Sequence, residues 1–148
     1  MSATEAHTVG GDTSVGGVDL KLEVTIIPVS DVDRAKRFYE RVGFRLDADD
    51  SPLPGLRIVQ TTPPGSGTSV NFGIGITTAA PGSAENGLIV SDIEAAHHQI
   101  AGRGIAVSDI WHGPPFPVEP DGNTWLVQEV TTRAPVRMNT AETDIPSA

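Results

Sequence analysis

Apolar and polar positions along the chain follow two rhythms, and the same succession of rhythms occurs twice. The first copy opens on the apolar stretch of "KLEVTIIPVSD" and changes to helical spacing, with Val32, Ala35, Phe38, Tyr39 and Val42 on one side. The second opens on "NGLIVSD" and continues with Ile93, Ala96 and Ile100 at the same spacing. Aligned without a gap, Val29 falls on Val90, Ser30 on Ser91, Asp31 on Asp92, Ala35 on Ala96 and Gly43 on Gly104. Each helix should be capped by its Ser, while Asp33 or Glu94, three residues on, completes a capping box. Each should stop near its Gly, which accepts left-handed backbone angles at least cost.

Beyond each Gly the pattern turns to short strands. The first copy offers "FRLDAD", "LRIVQTT" and "SVNFGIGI"; the second offers "IAVSDI", "PFPVEP" and "NTWLVQEV". The turns "PPGSG" and "EPDGN" separate the last two strands of each set. This predicts an α+β domain of two tandem β-α-β-β-β modules, with module one over residues 18–80 and module two over 85–134. Residues 1–17 and 135–148 are small, polar and without apolar period, and are expected to form a disordered leader and a flexible tail.

At 148 residues the chain is long enough for one well-cored domain and too short for two ordinary ones. A hydrophobic content of 38% with 20% charged residues is that of a globular protein. The net charge is −9 and the ten Lys and Arg are scattered, so nucleic acid is not an expected partner. No apolar run approaches the roughly twenty residues that span a bilayer, so no membrane is expected either. The N-terminus shows no basic-then-apolar signal pattern, which makes the cytoplasm the expected location. Without Cys there are no disulfides, no thiolate catalysis and no Cys-based metal site.

The segment "PVSDVDRAKRFYERVGF", the repeated "VSD" and the closing "PDGNTWLVQEV" together resemble the vicinal-oxygen-chelate superfamily of glyoxalases, bleomycin-resistance proteins and extradiol dioxygenases. The resemblance spans the ordered domain. It is strongest to actinobacterial-type glyoxalase-like proteins, although "WHGPPFPVEPDGN" is shorter than the loop those proteins commonly carry. It implies a curved, barrel-like mixed sheet around a cavity with the helices outside, and a homodimer. It also implies four positions that would hold a divalent ion. Here they fall on Val24, on one of Val70, Asn71 and Phe72, on Glu85 and on Leu126. Such a site normally needs at least three protein donors, so neither a metal nor another cofactor is expected. A one-residue shift would offer Glu23 in the first strand or Glu129 in the last, and no single shift restores three ligands.

Few candidates for chemistry remain. His112, at a strand end beside Trp111 and a Pro-rich turn, is expected near the cavity mouth, where an imidazole serves as general acid or base. The competing reading is a surface His. Glu85 would shuttle protons in an apolar cavity, unless it is a solvated residue of the "PGSAEN" linker. Gln128 shares a strand face with Leu126, and with Asn71 and Gln60 it offers amides that position a ligand's carbonyl or hydroxyl. Val24, Leu126, Phe72 and Trp111 would supply apolar walls, with Phe116 a further aromatic, whereas Trp125 should face the helices. His97 and His98 point about 100° apart on a helix, so His97 should edge the core and His98 face water. "GIG" beside Phe72 lacks the following helix and Lys of a phosphate loop and is ascribed to sheet crowding.

Three functions fit these residues. The first is a metal-independent glyoxalase-like enzyme in which His112 and Glu85 move protons on a small organic molecule, by isomerisation, cyclisation or lyase chemistry. The second is a non-catalytic drug- or metabolite-binding protein of the resistance type. The third is a metal-dependent lyase or dioxygenase with displaced ligands. The first is preferred, because a poised His and carboxylate in a cavity are more often catalytic than not. The substrate is not legible, since the fold does not select one.

Overall fold

The computed structural model describes residues 18–110 and 122–130. The expected leader and tail, the strand over "PFPVEP", and Trp111, His112 and Phe116 lie outside them. The elements run β1 (Val24–Ile26), α1 (Val32–Val42), β2 (Arg45–Leu53), β3 (Leu56–Thr62), β4 (Ser69–Ile74), β5 (Glu85–Val90), α2 (Ile93–Gly102) and β6 (Thr124–Glu129).

Module one has the expected β-α-β-β-β order. β1 lies parallel to β4, β4 antiparallel to β3 and β3 antiparallel to β2, so the sheet reads β1-β4-β3-β2. In module two, β5 lies parallel to β6. "IAVSDI" does not form the expected strand. Its Ile105 is buried in the core, and the Ser108 carbonyl accepts from His97 Nε2 at 3.0 Å in place of a ladder partner. The described strands thus make a four-stranded and a two-stranded sheet, and no closed barrel forms among the described residues.

Both helices begin one residue later than the Ser caps imply. Asp31 and Asp92 are the caps, their carboxylates accepting from the backbone N–H of Arg34 and Ala95 at 3.0 Å each. A carboxylate caps as well as a hydroxyl and adds charge that suits the positive end of the helix. Asp33, expected to complete a capping box, reaches Arg57 at 2.9 Å. Gly43 ends α1 with φ 114°, and its N–H donates to the carbonyls of Tyr39 and Glu40.

The core sits on the helix side of the first sheet and is shared by both modules. α1 contributes Val32, Ala35, Phe38 and Tyr39, the sheet contributes Val59, Val70 and Phe72, and β6 sends in Trp125. Tyr39 is the hub, with ring centroids 5.0 Å from Phe38, 5.2 Å from Phe44, 5.4 Å from Phe72 and 6.0 Å from Trp125. Its hydroxyl accepts from Trp125 Nε1 at 3.0 Å. Trp125 therefore faces a helix, as alternation from Leu126 requires. The second helix contributes less than its pattern promises. None of its residues is fully buried, and of Ile93, Ala96 and Ile100 Ile100 alone packs on the shared core. His97 is half-buried and His98 exposed, as expected.

Crowding does account for "GIG". A Cβ on Gly73 would stand 1.8 Å from the Arg57 carbonyl oxygen of the paired strand, and one on Gly75 would stand 2.5 Å from that of Gly55. Gly73→Ala should force β3 and β4 apart at a cost of about 1–3 kcal/mol. The check is the urea midpoint, and an unchanged midpoint would remove crowding as the cause.

An ion cluster ties α1 to the sheet. Asp49 accepts from Arg57 Nε and Nη2 at 2.9 and 2.8 Å and from Lys36 Nζ at 2.9 Å. Arg57 first, and Lys36 after it, hold the Asp49 carboxyl well below its ordinary range. The unfolded chain therefore takes up this proton at a higher pH than the folded chain does. Its stabilising effect is complete above about pH 4 and is lost as pH falls below that. Asp49→Asn should accordingly flatten the acid limb of a stability–pH curve, which urea midpoints from about pH 2 to 7 would show.

Candidate functional site

Strand alternation sorts the candidates by face. The registers Val24↔Ser69, Ile26↔Asn71 and Gln60↔Asn71 set these five side chains on the face of the first sheet away from α1, here called the far face. Phe72 points the other way and is fully buried against Tyr39, which makes it a core residue and not a cavity wall. In the second sheet, Glu85↔Thr124, Gly87↔Leu126 and Ile89↔Gln128 place Glu85, Leu126 and Gln128 together, opposite Trp125. Leu126 and Gln128 are buried, while Glu85 is exposed at the start of β5. A solvated carboxylate lacks the apolar surroundings that proton shuttling was expected to draw on.

The same registers decide the one-residue shifts. With Val24 on Ser69, Glu23 alternates onto the core side of β1, and Glu129 shares the Trp125 side of β6. The positions implied for a metal thus present two aliphatic side chains, Val24 and Leu126, one amide, Asn71, and one exposed carboxylate, Glu85. Among the described residues, no three His, Asp or Glu side chains gather in one place. This donor set does not fit a divalent ion.

The far face also carries a polar chain beyond the residues expected from sequence. An irregularity in register between Leu46 and Ala48 inserts Asp47 as an extra residue, and such bulges re-aim side chains. The Asp47 carboxylate accepts from Arg45 Nε and from the Thr62 hydroxyl. Thr62 and Ser69 join their hydroxyls at 2.8 Å, and Gln60 Nε2 meets Ser69 Oγ at 3.3 Å. Arg45 foremost, then Thr62, hold the Asp47 carboxyl below its ordinary range. Beside Gln60, Asn71 Oδ1 is buried with no hydrogen-bond partner. The sign was legible: Gln60 and Thr62 in one strand, and Ser69 and Asn71 in the next, stand two apart as on one polar strand face.

A cleft of about 320 Å³ opens on the core side, where Leu22, Thr25, Val70, Asn86, Leu88 and Trp125 line it. Thr25, Val70 and Trp125 alternate with Val24, Asn71 and Leu126, so this cleft lies behind the expected cavity.

Comparison with solved structures now bears on this geometry. TnmS3, an antibiotic binding protein from Streptomyces sp. CB03234, is 32% identical, covering 76% of this chain and 98% of its own, with a TM-score of 0.64. A glyoxalase/bleomycin resistance protein from the same Streptomyces strain is 33% identical, covering 72% and 98%, with a TM-score of 0.61. The chain belongs to the glyoxalase/bleomycin resistance superfamily. A further member, from Sphaerobacter thermophilus, is 26% identical, covering 76% and 98%, with a TM-score of 0.63. No protein-family model matches the chain, and no curated protein does. As a glyoxalase/bleomycin resistance superfamily protein it keeps the fold of these relatives while presenting amides and hydroxyls on its far face. Among its described residues no helix is long and apolar enough to cross a membrane.

Proposed function

We propose that this protein binds a small organic molecule, without a metal ion, on the surface formed by the far face of the first sheet and the Leu126 side of the second. The observation that carries the reading is Asn71 Oδ1, a buried acceptor without a partner beside the aliphatic Ile26 and Val24. A buried polar group left unpaired is costly, and a ligand that satisfies it recovers that cost. An apolar surface with a few placed polar groups is what small-molecule sites present. The antibiotic binding of TnmS3 supports a ligand of that size class. A homodimer belongs to the same reading: β1 ends its sheet with an unpaired edge among the described residues, and Ile26 and Ile89 are about half exposed. A second copy would cover them.

Calorimetric titration of the full chain with a panel of aromatic antibiotics, bleomycin included, tests the proposal. At least one should bind in the micromolar range, and Asn71→Leu should weaken it about ten-fold, equivalent to about 1.4 kcal/mol. Metal analysis should find well under one equivalent per chain, and a chelator should leave affinity unchanged. No binding across the panel, or binding that a chelator abolishes, would overturn the reading.

Acid–base turnover is the second reading, favoured by the position of Glu85 on the Leu126 side of the second sheet. Its other member, His112, lies outside the described residues. His112→Ala separates the two: unchanged affinity with lost turnover supports catalysis, and no turnover in the unaltered protein leaves binding alone.

A further inference from the structure

We infer that the far face selects ligands that donate hydrogen bonds, because a fixed chain of hydroxyls turns the carbonyl of Gln60 outward. The inference rests on the binding reading above and names its ligand class. Its starting point is Asp47, whose ionised carboxylate accepts hydrogen bonds and donates none. The single hydroxyl proton of Thr62 is therefore committed to Asp47. Only lone pairs of the Thr62 oxygen then face Ser69, 2.8 Å away, so the Ser69 hydroxyl must be the donor in that contact. With its own proton spent, Ser69 Oγ accepts from the group 3.3 Å distant, the Gln60 side-chain amide. An acceptor there has to meet the nitrogen of the amide. Amide nitrogen and oxygen are easily interchanged when assigned singly; here the direction of the whole chain decides between them.

Gln60 Oε1 is thus turned away from the chain, and across the strands from Gln60 stands Asn71, whose Oδ1 is buried and unpartnered. Two amide side chains paired across the strands, with Ile26 in the same row and Ile58 in the next, ask for adjacent N–H or O–H groups on a flat apolar body. Carboxamides, amidines, amines and phenols qualify. Carboxylates and esters would set acceptor against acceptor, and the net charge of −9 opposes anions further. Sites built to pair with a polar group discriminate far more sharply than apolar ones do.

The test uses four probes of one shape: 2-naphthamide, 2-naphthamidine, 2-naphthoate and methyl 2-naphthoate, titrated into the full chain. The amide and amidine should bind at least about ten-fold tighter than the acid and the ester. Thr62→Val made together with Asp47→Ala, which breaks the chain and removes the carboxylate that also draws the Gln60 amide, should bring the four within about three-fold of one another, because Gln60 is then free to turn. Thr62 is a positioning residue, so the ratio is the readout rather than affinity. In the unaltered protein, ¹⁵N-edited nuclear Overhauser spectra should place the Gln60 side-chain NH2 beside the Ser69 β-protons. An ester that binds as tightly as the amide, a ratio that survives the double change, or an NH2 group turned outward would each overturn the inference. Failure of all four probes to bind would overturn this inference, and the binding reading falls with it only if the antibiotic panel fails too. Binding without preference would remove donor selection alone.

Discussion

Trp125→Ala is expected to lower the stability of the whole domain by about 3–5 kcal/mol, a large part of the 5–15 kcal/mol that typical domains possess. The indole is 4% exposed and enters the shared core from β6. It meets Tyr39 and Phe44 edge-on, at ring separations of 6.0 and 5.8 Å. Among the described residues, Trp125 is the aromatic side chain by which module two enters that core. Two gentler changes divide the loss. Tyr39→Phe keeps the ring but strands the buried indole N–H that donates to the Tyr39 hydroxyl, at about 1–3 kcal/mol. Trp125→Phe removes that donor outright along with part of the packing. Urea unfolding of each variant and of the double mutant gives a coupling energy, expected to be about 1 kcal/mol for an ordinary buried hydrogen bond. A Trp125→Ala cost near zero would mean that the two modules do not depend on a common core.

That core was legible because periodicity reports burial directly. Val32, Ala35, Phe38 and Tyr39 sit at helical spacing and are buried, and the placement of Trp125 followed from its being next to Leu126 in a strand. Features whose determinant is a partner distant in sequence were harder to read. The helix caps moved from Ser30 and Ser91 to Asp31 and Asp92, a choice between adjacent residues with equal capping chemistry. The sequence allows Phe72 to be a cavity wall, because nothing in "SVNFG" says which of its two faces meets Tyr39. Glu85 falls at an implied ligand position by its spacing in sequence, and spacing does not give exposure. The Asp47–Thr62–Ser69–Gln60 chain depends on a bulge in β2, an irregularity that no period announces.

Asn123→Ala should cost about 2–5 kcal/mol, although in sequence the residue marks no more than the end of a turn. Its side chain is fully buried and spans the two modules. Oδ1 accepts from the backbone N–H of Ala84 at 2.8 Å, just before β5, and Nδ2 donates to the carbonyl of Pro28 at 2.9 Å, just after β1. Alanine would leave the Ala84 N–H without that partner and thin the bonding at Pro28, whose carbonyl also accepts from Gly82 N at 3.2 Å. The Asn also sets where β6 begins, and with it the positions of Leu126 and Gln128. Asn123→Asp tells bonding from shape. Ionised, the Asp keeps an acceptor for Ala84, loses the donor for Pro28 and buries a charge, so at neutral pH it should fare no better than Ala. Burial would raise its carboxyl above the ordinary value. Protonation then restores a donor, and the deficit against the unaltered chain should shrink as pH falls towards about 4 and below. Stability of both proteins measured across that range decides the matter: a deficit that stays constant with pH would show that Asn123 acts by its size and not by the bonds it makes to Pro28 and Ala84.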